Sequence, residues 1–80
     1  MKKEQVGFAA GDVWIYLAKN GATPLNKLPK QIGYKENDSQ VLVHQALGWL
    51  AREDKVNFIE KDNNTYVVLA GQDVKTTLKT

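Results

Sequence analysis

The spacing of apolar residues in this chain changes period near residue 54. Up to "EDK" the apolar residues recur at helical spacing, and beyond it they follow a period of two among β-branched and aromatic residues. Side chains that share a helix face are three or four residues apart, whereas those sharing a strand face are two apart. The chain therefore reads as an α+β fold with helices first and strands last.

Within the helical part, Val6, Ala10, Val13 and Leu17 fall on one face, flanked by Ala9, Trp14 and Tyr16, which predicts a core-facing helix over residues 6–19. Asn20 and Gly21 close it, because glycine takes the left-handed conformation common at a helix C-terminus. In "ATPL", Pro24 pushes Thr23 towards an extended backbone, so a short strand or link fits there. In "NKLPKQIGY" Asn26 is the expected N-cap, Pro29 lies in the first turn and Gly33 is a stop, giving a short second helix. After the polar turn "YKENDS", a third helix is expected over residues 39–53, with Leu42, Val43, Ala46, Leu47, Trp49 and Leu50 inward. Trp14 and Trp49 are expected to be core aromatics at the edges of their apolar stripes.

The strand part contains two runs, "VNFIEK" and "TYVVLA", separated by Asp62, Asn63 and Asn64. Asn and Asp tolerate the positive φ of tight hairpin turns, so the runs should pair antiparallel. Gly71 ends the pattern. Residues 1–71 form one domain on this reading, and residues 72–80 a tail anchored only by Val74 and Leu78.

Composition narrows the chemistry. A chain of 80 residues without cysteine cannot rely on disulfides, Cys-ligated zinc or thiol catalysis, and must hold together by its apolar core. The start "MKKEQVGFAAGD" has two lysines, but Gly7, Gly11 and Asp12 break the apolar stretch that a signal peptide needs, so a cytoplasmic protein is expected. No apolar run approaches the ~18 to 20 residues of a membrane span. The formal charge of +2 allows a polyanionic partner without demanding one.

Three helices, the last two joined by a turn, followed by a hairpin is the element order of a winged helix-turn-helix domain. The run "VGFAAGDVWIYLAKNGATPLNKLPKQIG" followed by "HQALGWLAREDKVNF" resembles a family of small stand-alone prokaryotic winged helix-turn-helix domains of unknown function. "ALGWLAREDK" is the most specific segment, and the resemblance spans residues 6–69. It implies the winged-helix fold, with its C-terminal hairpin wing, and no established activity.

Opposite its apolar face the third helix presents Gln40, Val41, His44, Gln45, Gly48 and Arg52. Gln pairs with adenine, His donates to base acceptors, Val41 suits a thymine methyl, and Gly48 lets a backbone approach closely. Affinity for DNA comes largely from phosphate neutralisation, however, and this face offers only Arg52. Lys27, Lys30 and Lys35 before the helix, and Lys61 beside the hairpin tip, supply further charge, partly offset by Glu36 and Asp38. Any one of these lysines alone reads as an ordinary solvated side chain. As a group around one helix they point to weak DNA binding in a regulatory setting, with docking of another protein as the competing reading.

No catalytic residue, cofactor site or metal site is expected. His44 is the only histidine and has too few partners for a metal. Glu53 and Asp54 read as a solvated helix end, and Asn63 and Asn64 are explained by turn geometry. On the first helix Phe8 and Ile15 lie opposite the core stripe, beside a strip of Gly7, Gly11 and Ala18. Either a second copy docks there as a homodimer, or the hairpin or the tail covers this face.

Overall fold

The computed structural model describes residues 3–72. Its elements are α1 (Lys3–Asn20), β1 (Thr23–Pro24), α2 (Leu28–Gln31), α3 (Asn37–Arg52), β2 (Val56–Lys61) and β3 (Asn64–Leu69). Gly21, at φ 74°, closes α1 as expected, and its amide donates to the Leu17 carbonyl at 2.8 Å. The Thr23 hydroxyl donates to the Gly21 carbonyl, so this buried polar side chain is satisfied as the chain turns into β1.

The strands form one antiparallel sheet in the order β1-β3-β2. The expected hairpin is present, and β1 adds a third strand through Thr23 opposite Val67 and Pro24 opposite Tyr66. Proline is tolerated there because β1 is an edge strand, where a missing N–H breaks no ladder bond. Asp62 and Asn63 form a two-residue turn with φ of 53° and 66°, the twist that matches a hairpin. Asn64 is already the first residue of β3, paired with Lys61.

Two expected helix starts move. Asn26 does not cap α2; Lys27 occupies the N-cap position without a side-chain cap bond. The amides of Lys27 and Leu28 already donate to the carbonyls of Pro24 and Leu25, so the entry turn takes over the capping role. Helix α3 begins at Asn37, two residues before the expected start, with Glu36 extended at its N-cap and Asp38 in the favourable first turn. The Ser39 hydroxyl donates back to the Glu36 carbonyl instead of capping an amide.

Glu53 and Asp54 are exposed at the end of α3, as expected of a solvated helix end, and the backbone there closes in a defined way. Asp54 takes the left-handed conformation at φ 58°, its amide donates to the Ala51 carbonyl, and the Lys55 amide donates to the Leu50 carbonyl at 2.8 Å. This is a Schellman closure with aspartate where glycine is usual. It reverses the chain directly into β2.

The core consists of aliphatic side chains from every layer: Ala9, Ala10, Val13 and Leu17 of α1, Leu28 of α2, Val43, Ala46, Leu47 and Leu50 of α3, and Val56, Val67 and Leu69 of the sheet. No aromatic residue is among them. Trp14 and Trp49, expected inside, are 48% and 49% exposed. The buried seam between α1 and α3 is filled by small and aliphatic side chains, Ala9, Ala10 and Val13 facing Val43, Ala46 and Leu47, with the indoles at its edge. They line one shallow groove with Gly7, Gly11 and Leu50.

At the other end of the sheet, the Gln72 side-chain amide donates to the Leu17 carbonyl, and its carbonyl oxygen accepts from the Leu69 amide. The end of β3 is thereby fastened to α1. The expected tail anchors Val74 and Leu78 lie outside the described residues.

Candidate nucleic-acid interface

Helix α3 is strongly two-faced. Val43, Ala46, Leu47 and Leu50 are buried, while Val41, His44, Gln45, Gly48 and Arg52 are exposed on the outward side. Gln40, expected on that open face, is half-buried instead. Its side-chain amide donates to the Lys35 carbonyl at 3.0 Å, because a helical side chain leans back over the preceding turn. Gln40 thus ties α3 to the turn before it.

The cations bracket this helix. Lys27 occupies the N-cap position of α2, Lys30 lies in its last turn, and Lys35 lies in the turn into α3; all three are exposed. Arg52 stands at the far end of α3, about 18 Å from Gln40 along the axis at 1.5 Å per residue. Glu36 and Asp38 share the lysine end and weaken its field.

On one flank, His44 shares a shallow cleft with Leu25, Asn26, Asn63, Asn64 and Thr65. The start of α2 and the hairpin tip therefore converge on the same side of α3. Cross-strand partners project to the same sheet face, so Lys61, paired with Asn64, stands beside this cleft. The Thr65 hydroxyl donates to the Glu60 carboxylate across the same strand pair. Sequence patterning explains Asn26, Asn63 and Asn64 by local backbone roles; only the sheet pairing brings them to His44. Their amides can donate to phosphate oxygens.

Two phenols hold this arrangement to α1. The Tyr16 hydroxyl donates to the Gln31 side-chain carbonyl at 3.2 Å, fixing α2. The Tyr34 hydroxyl donates to the Asp12 carboxylate at 2.5 Å, fixing the turn that carries Lys35. Burial, then the hydrogen bond to Asp12 and its charge, push the Tyr34 hydroxyl up to about 12. Sequence patterning alone missed this pair, because Asp12 and Tyr34 lie 22 residues apart.

A second helix and a third joined by a short turn, packed on a first helix and followed by a hairpin beside the exposed third helix, define a winged helix-turn-helix domain. The chain belongs to the winged helix-turn-helix domain family DUF2582, whose model matches residues 1–69. It is 38% identical over 64 residues to the uncharacterized protein MJ1608 of Methanocaldococcus jannaschii, covering 80% of this chain and 87% of that protein. Its fold is similar to the solution NMR structure of protein BT2368 from Bacteroides thetaiotaomicron, with a TM-score of 0.72 and 31% identity over 89% of this chain and 82% of that one. No helix among the described residues is long and apolar enough to cross a membrane.

Proposed function

We propose that this domain is a weak DNA-binding module in a regulatory setting, laying α3 against the major groove with the hairpin tip beside it. The observation that carries the reading is the cleft that joins His44, on the exposed face of α3, to the wing, with Lys27, Lys30 and Lys35 exposed in the segment leading into α3. Lys27, Lys30, Lys35 and Arg52 are the phosphate contacts, and Lys61 extends them along the wing. Val41, His44 and Gln45 meet base edges, and Gly48 admits the close approach.

Few cations means modest affinity. With four phosphates neutralised per copy, log K should fall with log salt at a slope of roughly −3 to −4. Fluorescence anisotropy with random and A·T-rich duplexes measures this. Charge reversal at Lys30 and Lys35 should weaken every duplex alike, whereas His44→Ala or Gln45→Ala should alter only the preference between sequences. No binding even at about 50 mM salt, where the electrostatic contribution is strong, overturns the proposal.

A further inference from the structure

The outer face of α1 carries chemistry that DNA binding does not use. We propose that this face is the contact between two copies of the chain, with the two α1 helices packed antiparallel about a two-fold axis passing between Gly11 and Asp12. Phe8 is 73% exposed and Ile15 is 53% exposed, and Trp14 and Trp49 border the same surface across the groove at Gly7 and Gly11. At about 200 Å² per large side chain, these four residues leave on the order of 450 Å² of surface open. That is more than half of the ~800 Å² each partner buries in an interface of standard size, and apolar patches of this extent often mark a contact surface.

The order of residues along the stripe selects the occupant. Glu4, Phe8, Gly11, Ile15 and Lys19 follow one another at steps of four, three, four and four along one side of the helix. The stripe is acidic at its start, basic at its end, and has Phe8 and Ile15 equally far from its middle. An antiparallel copy sets Phe8 against Ile15 of the partner subunit and Glu4 against Lys19 of the partner subunit, each contact occurring twice. A parallel copy would oppose Glu4 with Glu4 and Lys19 with Lys19. The helix dipoles favour the antiparallel arrangement as well.

The glycines give an independent reason for a close second helix. Gly7 and Gly11 lie inside an 18-residue helix, where each is less favourable than alanine by about 1 kcal/mol. A Cβ at either position would meet nothing within 4 Å, so no contact among the described residues requires a glycine there. A helix crossing at Gly11 does require it, because the missing side chain lets two backbones approach.

Sedimentation equilibrium on the full chain tests the proposal. The parent should sediment at twice the chain mass, and Gly11→Leu should remain helical but sediment as a monomer. Glu4→Lys and Lys19→Glu should each weaken association roughly tenfold, since two ion pairs become two repulsions, and the double variant should restore it. A parent that stays monomeric up to about 1 mM overturns the proposal, whether another segment or another protein covers the face. So does a Gly11→Leu variant that dimerises like the parent, or a double charge swap that fails to recover association.

Discussion

Replacing Gly48 with alanine should strengthen the fold and weaken DNA binding at once. Gly48 lies within α3, exposed on the outward face, and a Cβ added there would meet nothing within 4 Å. The substitution therefore carries no steric cost, and it removes the backbone entropy that glycine loses on entering a helix. The expected gain is about 1 kcal/mol, which for a domain of this size raises Tm by roughly 4–8 °C. Circular dichroism melts and urea titrations measure it, the midpoint moving with the slope unchanged. In the DNA reading the same methyl stands between α3 and the groove floor, so duplex affinity should fall severalfold in the more stable protein. A variant no more stable than the parent would refute the helix assignment at this position. A variant with higher stability and unchanged affinity would refute the close approach of the α3 backbone to DNA.

Leu50→Ala, at a buried site, should cost about 2–5 kcal/mol, whereas Trp49→Ala, half-exposed at the seam, should cost nearer 1 kcal/mol. Equal losses in urea unfolding would contradict the position of the tryptophan. Asp54→Gly should stabilise the domain by about 1 kcal/mol, because it relieves an L-residue held at positive φ, and a lower Tm would contradict the Schellman closure. Tyr34 binds its proton more tightly in the folded protein than in the unfolded chain, so its contribution is complete below pH 10 and is lost as the pH rises towards about 12. Urea midpoints measured across that range should fall less steeply for Tyr34→Phe than for the parent.

The fold was legible where burial imposes a period. Val6, Ala10, Val13 and Leu17 must share a side if α1 is to bury it, and the β-branched alternation after Lys55 has no helical reading. The hairpin turn was legible because few residues other than Asp, Asn and Gly accept the φ seen at Asp62 and Asn63. Strand β1 was only half legible: Pro24 announces an extended backbone, but two residues carry no period that names β3 as their partner. The tryptophans misled because a helical wheel gives the direction of a side chain and not the distance to the next helix. Both lie at the edges of their apolar stripes, and the buried positions between the helices are taken by Ala9, Ala10 and Ala46 and by aliphatic side chains. For the candidate site, the outward positions on α3 were legible from the same wheel, apart from Gln40, whose long side chain reaches back to Lys35. The cleft at His44 was not, since Asn26 and Asn64 meet it only through long-range strand pairing.

The two exposed surfaces differ in physics as well as in place. Helices α1 and α3 pack against each other through their inner faces, so the outer face of α1 and the outer face of α3 point away from one another. A second copy seated on α1 and against Trp49 would leave the His44 side of both α3 helices open. On the DNA reading, the α3 surface would attract its partner through lysines and an arginine that act across solvent, and added salt would screen them. The α1 surface is apolar at its centre, with Glu4 and Lys19 only at its ends, and salt leaves the burial of Phe8 and Ile15 intact. Raising the salt concentration on one sample should therefore abolish the anisotropy of a labelled duplex while the sedimenting mass stays at two chains. Loss of both together would mean that the copies associate only through the DNA.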